Sequence, residues 1–187
     1  MEIGTGTGVL SIILAKKRNI QRIIATDNNP RAVRNAIEEF QRFQLSNQIE
    51  VIECNLFPEN LIRKPRLIVF NPPWIPGKPT SLVETSVFDE DLTVLKAFLK
   101  KLPHVLDPEH GVCWLFYSNF AEILGLQEKD AIRKLFSEFN LEVVDHLTKP
   151  VDHTKSYGKK TKTDLLAKLR KLEIVSLYCL KPKNRIS

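Results

Sequence analysis

The stretch that most narrows what this chain can fold into is Leu67-Ile68-Val69-Phe70-Asn71-Pro72-Pro73-Trp74. Four apolar residues in a row are too few for a helix and read as a strand buried on both faces, the kind found in parallel sheets. Two consecutive prolines carry no amide hydrogens and cannot continue a ladder, so the strand stops at Phe70. The Asn71 side chain and the Pro72 carbonyl are then left at the strand's C-terminal edge, where open α/β sheets bind ligands. Two acceptors side by side, with an aromatic plane at Trp74, suit a flat group bearing an NH2: an adenine, a cytosine or a carboxamide. The plainer reading is a proline-rich loop with a core Trp, and these residues alone leave both open.

The start of the chain bears on that choice. Met1-Glu2-Ile3-Gly4-Thr5-Gly6-Thr7-Gly8-Val9-Leu10-Ser11 sets three alternating glycines between a strand stub and an apolar helical run. Glycine lets a ligand approach the backbone and adopts conformations other residues avoid. The spacing is not the dinucleotide fingerprint G-x-G-x-x-G, because the last position falls on Val9 counted from Gly4 and on Ser11 counted from Gly6. No Lys-Ser/Thr pair follows, so it is not a P-loop either.

Together, Glu2-x-Gly4-x-Gly6-x-Gly8 and the downstream Asn71-Pro72-Pro73-Trp74 resemble the class I S-adenosylmethionine-dependent methyltransferases. The N-P-P-aromatic signature narrows the resemblance to enzymes that methylate exocyclic or amide nitrogens. Asn71-Pro72-Pro73-Trp74-Ile75-Pro76 is most similar to the release-factor glutamine methyltransferases, whose motif usually ends in Tyr rather than Trp. The resemblance runs from residue 2 to about residue 180. It implies a doubly wound, Rossmann-like α/β sheet of seven strands ordered 3-2-1-4-5-7-6, with strand 7 antiparallel.

It also implies S-adenosylmethionine as cofactor, held along Glu2, Gly4, Thr5, Gly6 and Gly8. Asp27, which ends the second predicted strand 23 residues beyond Gly4, would accept from both ribose hydroxyls. Asp27 also opens the turn Asp27-Asn28-Asn29-Pro30, and the two roles are compatible. Where the family often has an Asp that accepts from the adenine amino group, this chain has Asn55, whose carbonyl can serve. Leu56 and Phe57 are candidates for the adenine's apolar walls, with core packing as the alternative. On the acceptor side, Asn71, Pro72 and Trp74 are the expected catalytic residues, and Asn71, Pro73 and Trp74 the substrate contacts.

With 187 residues the chain is expected to form one methyltransferase domain over 1–187. The first strand has only about two residues before Gly4, against the ~5 usual for a central strand, and is expected to be truncated. The family's N-terminal helical part is expected to be missing. No apolar run approaches the ~20 residues of a membrane span, and no signal peptide is expected. Cys54, Cys113 and Cys179 are far apart and read as reduced thiols of a cytoplasmic protein. His104, His110, His146 and His153 form no ligand pair, and no metal is expected. The net charge is +6, and Lys149 to Lys171 holds eight basic against two acidic residues, an excess equal to all of it. That segment reads either as a solvated loop or as a contact surface for a polyanion.

Periodicity places helices at Val9–Arg18, from Pro30 to about Phe43, at Leu92–Leu106 and at Glu128–Asn140. The second helix should bury Ala32, Val33, Ala36, Ile37, Phe40 and Phe43, with Asn29 as its cap. Strands are expected at Ile20–Thr26, Ile49–Glu53, Leu67–Phe70, Gly111–Ser118, Leu141–Thr148 and Ile174–Leu180, and a loop at Ile75–Glu90. The functional expectation is N-methyl transfer to a protein glutamine of a translation-factor-like partner. The alternatives are a base amine in RNA or DNA, and a non-catalytic methyltransferase-like binding subunit.

Overall fold

The structure, a computed structural model, describes residues 1–18, 20–78, 87–152 and 165–183, with the backbone alone at 165–167. In chain order its elements are β1 (Glu2–Ile3), α1 (Val9–Arg18), β2 (Ile23–Asp27), α2 (Pro30–Arg42), β3 (Ile49–Glu53) and β4 (Leu67–Phe70). A 3-10 turn at Glu90–Leu92 leads into α3 (Thr93–Val105), followed by β5 (Val112–Ser118), α4 (Phe120–Ile123), α5 (Ala131–Glu138), β6 (Leu141–Pro150), α6 (Leu165–Arg170) and β7 (Ile174–Pro182). The strands lie in the order β3-β2-β1-β4-β5-β7-β6 in one sheet. β1 is parallel to β2 and β4, β2 is parallel to β3, and β7 is antiparallel to β6. This is the seven-stranded order that the resemblance implied.

The chain divides into two compact units, Met1–Asn71 with Val105–Cys113, and Pro72–His104 with Trp114–Ser187. The first packs α1 and α2 on β2 and β3 through Ala15, Ile23, Ala25, Ala36, Phe40, Leu45 and Ile49. Its two-residue strand β1 pairs on both sides: Ile3 stands opposite Thr26 and opposite Phe70. In the second unit, Leu95, Phe98, Leu99 and Leu102 form the buried stripe of α3, and Leu115, Tyr117, Ile132, Phe136, Tyr178 and Leu180 are buried too.

Several boundaries differ from expectation. β2 starts at Ile23 because its ladder starts where β3 does, at Ile23 opposite Ile49; Ile20 packs against the core instead. The buried stripe of α2 is narrower, Val33, Ala36 and Phe40, while Ile37 and Phe43 are more than a third exposed. The Phe43 ring is covered by the Lys16 ammonium at 4.6 Å. α5 starts at Ala131, since Asp130 takes a left-handed φ of 59° that helical backbone cannot share, and ends at Glu138, two residues before a left-handed Asn140. Leu92 is left-handed as well, so α3 begins at Thr93. β5 starts one residue late, at Val112. β6 and β7 run longer than expected because they pair over their whole length, from Leu141 opposite Pro182 to Pro150 opposite Ile174. Within the expected loop, Ile75 pairs with Phe88. The short helices α4 and α6 had no periodic signal.

Candidate functional site

The first unit gathers its polar groups at one sheet edge. Gly4, Gly6 and Gly8 all take left-handed φ values, 63°, 55° and 79°, which bend the chain from β1 into α1. A side chain there would be strained. The turn is held from beneath by Glu2, which is 4% exposed. Its Oε2 accepts from the Thr5 hydroxyl at 2.8 Å, from the Ser11 amide at 3.0 Å and from the Ser11 hydroxyl. Burial pushes the Glu2 carboxyl above its ordinary range, opposed by the bonds from Ser11 and Thr5.

Asp27, the last residue of β2, ties the same edge together. Its Oδ2 accepts from the Gly6 amide and its Oδ1 from the Asn29 amide, both at 2.9 Å, and its carbonyl accepts from the Cys54 amide at 3.0 Å. Asn29 in turn caps α2 by accepting from the Arg31 amide. Thr26 donates its hydroxyl to the Leu56 carbonyl at 2.8 Å. Strand ends β1, β2 and β3 are thus cross-linked within a few residues of the glycine turn.

The expected cofactor residues divide into two kinds. Glu2, Thr5, Gly8 and Leu56 are buried; Gly4 and Asn55 are exposed, and Gly6 and Asp27 are half-buried. A Cβ on Gly6 would meet nothing within 4 Å, whereas one on Gly8 would come within 2.4 Å of Phe40 Cε1. Open space therefore lies against Gly6, and Gly8 is a packing glycine. Asn71 is exposed directly after β4. Because Ile3 stands opposite Phe70, Gly4 and Asn71 leave neighbouring parallel strands at the same edge.

Pro72 and Pro73 are buried and Trp74 is half-buried in the second unit. The residue after Trp74 is fixed from two sides: the Ile75 amide donates to the Val87 carbonyl at 3.1 Å, and the Ile75 carbonyl accepts from the Asp89 amide at 3.0 Å. In the basic segment, Lys155, Lys159, Lys160 and Lys162 lie outside the described residues. Lys149, Lys168 and Lys171 are exposed, while Arg170 lies over the Phe120 ring at 5.4 Å. Cys113 and Cys179 are buried and Cys54 is half-buried. Among the described residues there is no group of three His, Cys, Asp or Glu placed for a metal, and no helix is long and apolar enough to cross a membrane.

Three buried polar residues lie outside the sequence motifs: Ser11, Thr26 and Asp89. Ser11 sits in an apolar helical run with nothing to mark its partner. Asp89 carried a legible signal, an acidic residue shortly before a helical run.

The methyltransferase small domain family matches residues 1–146, and the chain belongs to that family, within the S-adenosylmethionine-dependent methyltransferases. The chain is 33% identical over 160 residues to protein MJ0928 of Methanocaldococcus jannaschii, provisionally named a protein N5-glutamine methyltransferase, covering 81% of this chain and 76% of that one. It is 29% identical over 140 residues to the release factor glutamine methyltransferase of Escherichia coli, covering 73% and 50%. It is 26% identical over 113 residues to a tRNA1(Val) (adenine(37)-N6)-methyltransferase of a Flavobacteriaceae bacterium, covering 60% and 48%. The chain thus spans only about half the length of the last two. Among solved structures, the N-methyltransferase NodS from Bradyrhizobium japonicum, in complex with S-adenosyl-l-homocysteine, has the same fold: TM-score 0.63, 16% identity, 97% of this chain and 76% of that one.

Proposed function

We propose that residues 1–187 act as one domain that transfers a methyl group from S-adenosylmethionine to the side-chain amide nitrogen of a protein glutamine. The observation that carries this reading is the pairing of Ile3 with Phe70, which sets the glycine turn and Asn71 at one edge of adjacent strands. The residues suit the cofactor. Gly4 and Gly6 give its carboxypropyl end close access to backbone. Asp27 uses two of the roughly four hydrogen bonds a carboxylate can accept, which leaves capacity for the ribose hydroxyls. Asn55 is exposed for the adenine edge and Leu56 lends apolar backing. Bound there, the cofactor supplies an electrophilic methyl group on a sulfonium.

The chain's own contribution is positional and electrostatic. An amide nitrogen is a weak nucleophile because its lone pair is delocalised. The side-chain amide oxygen of Asn71 and the backbone carbonyl of Pro72, from consecutive residues, would each accept one N–H and so localise the lone pair and aim it. Trp74 would stack on the flat group, with Pro73 beside it, and favour the charge developing on nitrogen. No strong base is needed if the proton leaves after transfer.

The glutamine reading is supported by the provisional name of the archaeal relative and by the release factor methyltransferase. The second reading, methylation of a base amine in RNA or DNA, is supported by the tRNA adenine-N6 relative, because the same two acceptors fit an exocyclic NH2. A nucleobase would have to be single-stranded or flipped. The same reading proposes a cytoplasmic location, where translation factors and RNA would be met, and a role for the basic stretch Lys149–Lys171 as a contact for an RNA or a ribosome-bound partner. The test is transfer of labelled methyl to total cell protein and to total RNA. Label in protein is expected, released as N5-methylglutamine by exhaustive protease digestion and as methylamine by acid hydrolysis. Label in RNA alone would select the second reading. Cofactor binding without transfer to either would favour a non-catalytic binding subunit.

A further inference from the structure

We propose that Asp89 is a positioning residue for the acceptor platform: it fixes the backbone that carries Trp74 by tying Ile75 to the start of α3. The proposal rests on the reading of Trp74 as the surface against which the acceptor group lies. Asp89 is 3% exposed, deep burial for a carboxylate. Its Oδ1 accepts from the Val94 amide and its Oδ2 from the Leu95 amide, each at 3.0 Å, which satisfies two of the open donors at the beginning of α3. Leu95 is fully buried in the core stripe of that helix, so the carboxylate is anchored beside the core.

The other end of the same residue points the other way along the chain. The Asp89 amide donates to the Ile75 carbonyl at 3.0 Å, and the preceding Phe88 pairs with Ile75. Phe88 is itself wedged against Gly77, where an added Cβ would lie 2.9 Å from its ring. One residue therefore spans from the helix core to the neighbour of Trp74. The path from Asp89 into α3 is costly to hold, because Asp91 and Leu92 both take left-handed φ values of 55°. Non-glycine residues persist in that conformation where surrounding bonds over-determine it, and such strain clusters at functional segments. Here the bidentate grip of Asp89 on Val94 and Leu95 brackets the strained pair. An ordinary helix cap would need neither the buried carboxylate nor the bond to Ile75.

The experiment uses the full chain with Trp114→Phe, which leaves Trp74 as the single tryptophan. Asp89→Ala and the milder Asp89→Asn are compared with the parent by circular dichroism, Trp74 emission and acrylamide quenching, cofactor calorimetry, and labelled-methyl transfer to total protein and RNA. In a folded variant, Trp74 emission should shift to the red and its quenching constant rise about twofold. Transfer should fall at least ~10-fold, as misplaced reacting groups do. Cofactor affinity should stay within about twofold. A folded Asp89→Asn with unchanged Trp74 emission and quenching would show that Asp89 only caps α3 and would overturn the proposal. The fluorescence readout does not depend on the acceptor, so it decides the proposal even if the parent transfers no methyl and the functional reading fails.

Discussion

Glu2 and Ser11 meet through a single oxygen: Oε2 of Glu2 accepts from both the amide and the hydroxyl of Ser11, and from Thr5 as well. The bond closes the glycine turn over a buried carboxyl whose pKa burial raises above the ordinary 4.5. A carboxyl with a raised folded-state pKa contributes stability that is fully present below about pH 4.5 and is lost as pH rises through the folded value. Glu2→Gln keeps an acceptor oxygen for the three donors and carries no charge. Urea unfolding should therefore show Glu2→Gln gaining on the parent between pH 4.5 and neutrality. Glu2→Ala, which leaves buried donors unpaired, should lose about 1–3 kcal/mol at both ends. A Glu2→Gln curve parallel to the parent's would mean that the buried charge is not the controlling term.

Asp27 is expected to serve the cofactor and the turn together. Asp27→Ala should weaken S-adenosylmethionine binding by on the order of 1.5–3 kcal/mol, since a charged acceptor is lost where ribose hydroxyls would lie. It should also lower stability, because the Gly6 and Asn29 amides lose their partner. Calorimetry showing unchanged affinity would leave Asp27 as a turn residue alone.

Gly8 is held to glycine by Phe40. Gly8→Ala puts a Cβ 2.4 Å from a ring carbon at a backbone φ of +79°, so both space and conformation oppose it. The expected loss is about 1–3 kcal/mol of stability, with weaker cofactor binding. Adding Phe40→Leu should recover only the steric part. Full recovery in thermal unfolding would show that the left-handed backbone carries no cost.

Asn71 separates transfer from binding. Asn71→Ala should reduce transfer by ~100-fold or more, the cost of misaligned reacting groups, while cofactor affinity changes little. Asn71→Asp preserves an acceptor of nearly the same shape and should retain part of the activity. Near-normal turnover in Asn71→Ala would remove the amine-clamp mechanism and the N-methylation reading with it.

Elements governed by neighbours in sequence were legible without coordinates. α1, β3 and β4 span the expected residues, because an apolar run, its charged end and a proline pair are local signals. Asn29 at the cap of α2 and Asp27 at the end of β2 follow from the same short-range chemistry. The strand order was legible through the pairing of two motifs with a known family, since no local pattern specifies which strands lie side by side.

Tertiary structure decided everything that depends on residues distant in sequence. β2 is shorter than its apolar run because its ladder starts with β3, and β6 and β7 are longer than theirs because they pair end to end. The bond from Gly6 to Asp27 joins residues 21 apart, and Thr26 reaches Leu56 across 30. The Asp89 carboxylate accepts from the Val94 and Leu95 amides, and its own amide donates to the Ile75 carbonyl 14 residues back. Composition and periodicity report which residues avoid water and which turns they can make. They carry no record of which buried acid will find which amide, because that pairing exists only once the chain has closed on itself.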